Sequence, residues 1–235
     1  MEGVDSVMDE RQPSKPLGAA ESRELLADAV RLLIAATIGT EAEPEVLADL
    51  AVQVAVVTGH LAAYAPNRGD GPTARYSDNP DLARDASALA SRMPYDMIIG
   101  RANPVSPPIT IEIEPPRAIG RTSFPEAFQG APGCVHGAAL AGAFDIVLTA
   151  ANIIAGAAGP TVSLNITFKE PTLIGLPTMF EAWVVRTEGR RTYSRGRLIQ
   201  GDATTVEAEG VFLAVGRSAV EAMHRRNAQL PSPDA

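Results

Sequence analysis

Asp145 is an acid standing between Phe144 and the run Ile146-Val147-Leu148. The stretch around it is made largely of Ala, Gly, Leu, Ile and Val and reaches to about Asn152 or Ile154. A helix that is apolar nearly all round is buried nearly all round. A buried carboxylate without partners is costly, so Asp145 needs either partners or a purpose. Helical spacing supplies company, because Thr149 lies one turn ahead and Asn152 two turns ahead in a narrow polar stripe. Ala138, Ala141 and Gly142 lie behind it on the same side and leave space above the carboxylate. His136 falls nine residues upstream, on the opposite face of a continuous helix. It approaches the Asp145 side only from a turn before the helix, and Gly130, Pro132 and Gly133 put a turn there. The set is then a carboxylate, an imidazole and the free N–H groups of a helix N-terminus around Gly137 and Ala138. Such N–H groups attract developing negative charge, and the carboxylate suits general-base or nucleophilic work.

Other reactive residues are weaker candidates. Cys134 lies two residues before His136, but a thiol nucleophile needs an orienting geometry that spacing alone does not show. His60 and His224 sit among ordinary helix residues. Arg186, Arg190, Arg191, Arg195 and Arg197 form a basic cluster in an acidic chain. Arginines suit phosphate through bidentate hydrogen bonds, although edge strands also collect charge for solubility. The sequence contains no phosphate-cradling Gly-rich loop and no metal-ligand spacing.

The elements that must position these residues follow from periodicity. Residues 1–20 are charged and Pro-containing without apolar period, which predicts disorder. From Glu21, apolar residues at Leu25, Leu26, Ala29, Val30, Leu33 and Ile34 predict an amphipathic helix. A second helix is predicted from Pro44 to about Tyr64, with Val46, Leu47, Leu50, Val54 and Val57 on one side. A third, short one is expected from about Pro80 to Arg92. This helical extension, 21–97, is expected to pack on the open side of the sheet, with a lid as the other option. Strands are predicted at 110–114 and 118–124 across Pro115-Pro116-Arg117. Four more are predicted at about 161–168, 177–187, 190–200 and 203–215, with turn signals at Glu188-Gly189 and Gly201-Asp202. One buried helix followed by an antiparallel meander reads as α+β, the sheet wrapped around the helix. The tail, 217–235, is expected to fray.

Composition narrows the classes. At 235 residues and 46% hydrophobic content the chain can build a real core. A net charge of -8 argues against general nucleic-acid binding. One cysteine excludes an intramolecular disulfide framework and a cysteine-rich metal site. The polar stretch Met1–Leu17 lacks a signal-peptide core, and no apolar run reads as long enough to span a bilayer. A cytoplasmic protein without a membrane partner is the simplest expectation.

The run Gly130-Ala131-Pro132-Gly133-Cys134-Val135-His136-Gly137, with Asp145 nine residues after the histidine, resembles the hotdog-fold acyl-CoA thioesterases, closest to the phenylacetate-degradation (PaaI-like) branch. The likeness continues through Thr161–Pro171, Glu188–Arg191 and Glu207–Phe212, and reaches back to Asn103–Pro108. It covers roughly residues 98–216. Family members usually carry Gly-Gly after the histidine, whereas here Gly137-Ala138 keeps the backbone N–H and adds a methyl near a thioester carbonyl.

The resemblance implies a hotdog domain over 98–216 and hydrolysis of an acyl-CoA thioester to free acid and CoA. Asp145 would be general base or nucleophile, and the amides of Gly137 and Ala138 would polarise the carbonyl. His136 would position the loop or the thioester. Thr161 matches a position where the family places a hydroxyl near the carboxylate, supplied by a neighbouring subunit. Asn152, Thr149, Arg190 and Arg191 are expected to contact substrate. Active sites between subunits of a homodimer or homotetramer follow from the family, with Asp145 of one chain facing His136 and Gly137 of the other. No cofactor is implied beyond the coenzyme A of the substrate. Two other readings keep the fold, an acyl-CoA-binding protein without hydrolysis and a hydratase or dehydratase. Acyl group and pathway lie beyond the sequence.

Overall fold

Side-chain alternation and tight turns build one sheet from the second half of the chain. In the computed structural model, residues 18–65 and 89–214 are described. Six strands, β1 (Thr110–Glu114), β2 (Arg117–Thr122), β3 (Thr161–Phe168), β4 (Thr178–Glu188), β5 (Arg191–Gln200) and β6 (Ala203–Leu213), pair antiparallel in the order β1-β2-β4-β5-β6-β3. The Glu188-Gly189 and Gly201-Asp202 turns join β4 to β5 and β5 to β6; both glycines adopt the positive φ that such turns require. β1 and β2 turn back on each other at the Pro115-Pro116 pair.

The long helix α4 (Gly137–Ile154) lies across this sheet, packed chiefly on β4, β2 and β5. Glycines in the strands let the side chains of α4 approach the sheet. A Cβ at Gly120 would stand 2.8 Å from Val147, and one at Gly196 would stand 3.1 Å from the Phe144 ring. Phe124, Phe144 and Phe180 are fully buried, with the Phe144 and Phe180 rings edge-to-face at 4.9 Å. Leu140, Val147, Leu148, Leu198, Val206 and Phe212 complete the core. This is the α+β arrangement expected from periodicity, and the hotdog fold that the resemblance implies.

Strand boundaries fall within a residue or two of expectation; β2 begins one residue earlier and stops at Thr122. β3 departs in packing: Leu164 and Ile166 are half-buried, but Val162 and Phe168 are exposed on this edge strand.

The N-terminal region divides in two. Helix α1 (Ala19–Gly39) is fastened to the domain by Arg31, whose Nη2 donates to the carbonyls of Arg101 (2.8 Å) and Asn103 (2.7 Å) and to Ser106 Oγ (3.1 Å). Helix α2 (Pro44–Ala62) has no buried residue and no extensive packing on any described element. The expectation of simple packing on the sheet therefore holds for neither helix as stated: α1 grips the loop before β1, and α2 stands clear. Helices α2 and α4 are also both long and apolar enough to cross a membrane by length and composition, contrary to the reading of the sequence; α4 is the core of the sheet. Of the short helix expected over 80–92, only α3 (Leu89–Arg92) lies among the described residues. Of residues 1–20, expected to be disordered, Ala19 and Ala20 instead form the first turn of α1, and 1–17 lie outside the described residues, as does the tail 217–235 expected to fray.

Candidate functional site

Helix α4 carries two chemically distinct ends. At its start, His136 is the N-cap, and its Nδ1 accepts the Ala138 N–H at 3.0 Å. Accepting at Nδ1 leaves the proton of the neutral ring on Nε2, which is then a donor. The same bond uses one of the two amides expected to polarise a carbonyl. The Ala138 N–H is taken by the imidazole, while the Gly137 N–H finds no partner among the described residues. Ala139 and Leu140 donate to the His136 carbonyl as ordinary helical bonds.

The loop before His136 is held from several sides. The His136 N–H donates to the Phe128 carbonyl at 2.7 Å, the Val135 N–H to that of Thr172 at 2.8 Å, and Gln129 Oε1 accepts the Gly133 N–H at 2.9 Å. Gly133 has φ 74°, the left-handed turn that glycine favours. Gly130 passes directly beneath the histidine: a Cβ there would stand 2.9 Å from the His136 Cα. A hollow of about 730 Å³ opens at this end, lined by Gln129, Cys134, His136, Gly137, Phe168 and Lys169 among others. The Phe168 ring lies over Gly137, where an added Cβ would meet it at 3.0 Å. Phe168, Lys169 and Gln129 were given no role from the sequence. Their only signal there was their place in, or next to, the quoted motifs.

Two turns and a half further along α4, Asp145 is half-buried and accepts a hydrogen bond from Thr161 Oγ1 at 2.5 Å. Thr161 opens β3, so the short return from α4 to β3 brings the hydroxyl onto the carboxylate within one chain. Nine residues of helix separate His136 from Asp145, a rise of about 13 Å. Asp145 does not line the hollow at His136. One chain therefore holds the acid and the imidazole apart.

The polar stripe beyond Asp145 does not continue to the surface. Thr149 is half-buried, but Asn152 is fully buried; its Oδ1 accepts from Ser194 Oγ at 2.5 Å, and its Nδ2 has no partner among the described residues. Asn152 is thus a core hydrogen-bonding residue here, because α4 turns that face onto β5. The arginine cluster is also sorted by its partners. Arg195 pairs with Glu209 at 2.7 Å, and Arg197 with the buried Glu181 at 2.6 Å. Arg186 Nε donates to Glu188 at 2.7 Å, and its guanidinium lies 3.8 Å over the Tyr193 ring. That hydrogen bond is the main cause that raises Arg186 above its ordinary value and holds Glu188 below its own. Arg190 Nε donates to the Ala214 carbonyl at 3.1 Å, and Arg191 opens β5 opposite Leu213. Arg190 and Arg191 lie at the sheet end where Thr161 pairs with Phe212, away from the His136 hollow. Among the described residues, no group of three or more His, Cys, Asp or Glu could hold a metal ion.

Residues 132–218 match the family model described as Thioesterase superfamily. A crystal structure of a thioesterase superfamily protein is 27% identical, with a TM-score of 0.70, covering 85% of this chain and 93% of that one. The described residues from 89 onward make up only about half of the chain, so that likeness extends into the N-terminal region. The E. coli PaaI protein of the phenylacetic acid degradation operon is 17% identical with a TM-score of 0.43, covering 45% of this chain and 82% of its own. A Streptococcus mutans protein bound to acetyl CoA is 14% identical with a TM-score of 0.44, covering 46% and 89%. No curated protein matches the chain.

Proposed function

We propose that this chain is a hotdog-fold thioesterase that hydrolyses an acyl-CoA thioester, with Asp145 as the group that acts on water or on the carbonyl; the family match over 132–218 and the sheet-wrapped helix support this reading. The observation that carries this is the half-buried Asp145 carboxylate, the one acid of a mostly apolar helix, held by Thr161 at 2.5 Å. A carboxylate kept at such a position, aligned by a hydroxyl, is suited to take a proton from water. Water oxygen bonds to the thioester carbon as Asp145 receives its proton; the carbonyl π electrons move to oxygen, and collapse expels the CoA thiolate, which takes the proton back. The developing oxyanion needs donors, and the partnerless Gly137 N–H at the start of α4 is one. The His136 Nε2–H is a second candidate, since Nδ1 is engaged with Ala138. Because the acid and these donors stand about 13 Å apart along α4, the reading requires a second copy whose His136 end meets the first copy's Asp145. The PaaI-like branch and the acyl-CoA substrate rest on the order of the motifs. The proposal includes a homodimer or homotetramer, a cytoplasmic setting and no cofactor beyond the coenzyme A of the substrate. Arg190 and Arg191, unlike their ion-paired neighbours, are the arginines offered to its phosphates.

Free-thiol release from short, medium, long and aromatic acyl-CoAs tests the reading, comparing wild type with Asp145→Asn. Turnover on one class, falling by about 10²–10⁴-fold in the variant with CoA affinity kept, is the expected outcome. Absence of turnover on every substrate, with CoA still bound, would sink hydrolysis. It would favour the alternative reading, an acyl-CoA-binding protein, for which the loss of the Ala138 amide to His136 is the supporting observation.

A further inference from the structure

Gly142 stands inside α4, one turn before Asp145, where alanine would make a better helix. The reason lies in what meets it. A Cβ at Gly142 would stand 2.5 Å from Ile98 Cδ1 and 3.0 Å from Ile98 Cγ1, so Ile98 takes the place of the missing side chain. Apart from the chain neighbours of Gly142, no other described side chain comes within 4 Å of that place. Residues three apart on a helix share a face, and helical side chains lean back over the preceding turn. The Asp145 side chain therefore leans towards the turn that Ile98 covers. Ala138 and Ala141 offer only methyl groups on this side, so the bulk there is Ile98.

Ile98 comes from outside the strands, and its turn is firmly held. Asp96 Oδ1 accepts the N–H groups of Ile98 at 2.8 Å and Ile99 at 3.0 Å. The Gly100 N–H donates to the Asp96 carbonyl at 3.0 Å, and a Cβ at Gly100 would strike the Asp96 backbone at 2.5 Å. Ser106 Oγ donates to the Gly100 carbonyl at 2.6 Å, and Arg31 of α1 grips the carbonyls of Arg101 and Asn103 that follow. Ile98 itself is 7% exposed, and its branched Cβ restricts it to few rotamers. A wall that selects between substrates needs to be fixed in this way.

We propose that Ile98 sets the width of the acyl group that stands beside Asp145, favouring acyl chains unbranched next to the thioester carbonyl. The inference rests on the reading of Asp145 as the group that acts on that thioester. The carbonyl carbon must come within reach of the carboxylate or of its water, and the α-carbon follows one bond away. A methyl branch on the α-carbon then competes with Ile98 Cδ1 for the space over Gly142. One methylene of difference in an apolar pocket changes kcat/KM by about 10–200-fold.

The test compares butyryl-CoA with isobutyryl-CoA, and valeryl-CoA with pivaloyl-CoA, so that carbon number is shared within each pair. Wild type should favour the straight isomer in kcat/KM. Ile98→Val removes Cδ1 and should raise the branched-to-straight ratio about tenfold. Adding Gly142→Ala to Ile98→Val returns a methyl close to the vacated place and should restore the wild-type ratio, which a misfolded variant could not do. A wild type that does not favour the straight isomer overturns the inference while leaving hydrolysis standing. So does a ratio unchanged in Ile98→Val, or one that stays raised in the double variant. Absence of turnover on all four thioesters counts against hydrolysis instead. The same ratios are then read from binding affinities, and equal affinities, or no binding, overturn the inference too.

Discussion

Helices α4 and α2 are nearly equal in length and both apolar along most of their course, yet their surroundings are opposite. α4 has ten buried residues, among them Phe144, Val147 and Leu148, and α2 has none. The difference lies in what each meets: strand glycines admit α4 to the sheet, and Arg31 ties α1, not α2, to the domain. Apolar composition marks a helix to be covered without saying by what. In α4 the cover is the chain's own sheet, and the half-buried Asp145 is where chemistry is proposed.

The comparison can be broken by truncating matched side chains. Phe144→Ala should cost about 3–5 kcal/mol in chemical denaturation, since it empties a fully buried ring site against Phe180. Leu148→Ala should cost about 2–5 kcal/mol by the same measurement. Its counterpart Leu50→Ala should move the hotdog domain's unfolding by less than about 0.5 kcal/mol. A large loss at Leu50 in a dilute, single-copy sample would show that α2 packs on its own domain and remove the contrast. The smallest effect concerns charge outside both helices. Glu188 is held below its ordinary value by Arg186, so any stabilisation is present above the unfolded carboxylate value, near 4.3. It is lost as pH falls through the lower folded value. The stability difference between wild type and Glu188→Gln should therefore be slight at neutral pH and vanish in acid, as thermal melts across that range would register; a difference that grows in acid would contradict the pairing.

Much of the sheet was legible because its signals are local. Period-two alternation and the Glu188-Gly189 and Gly201-Asp202 turns placed β4, β5 and β6 within two residues of their observed ends. The long helix was legible from its apolar run, and Asp145 from being the one acid in it. The site was legible only in parts. Asn152 has the right helical spacing, but its face is turned onto Ser194 of β5, which is a fact of packing. The Ala138 amide lies at the helix N-terminus as expected, but the imidazole that precedes it claims the hydrogen.

Residue order alone therefore determined the strands, the buried helix and the presence of an acid, a histidine and a threonine in the matching motifs, because periodicity and turn chemistry act over a few residues. Only the tertiary structure decided that Thr161 meets Asp145, that His136 caps α4 well away from that acid, and that α2 has no buried residue. These depend on how elements distant in sequence are set against one another, and no short-range pattern records that.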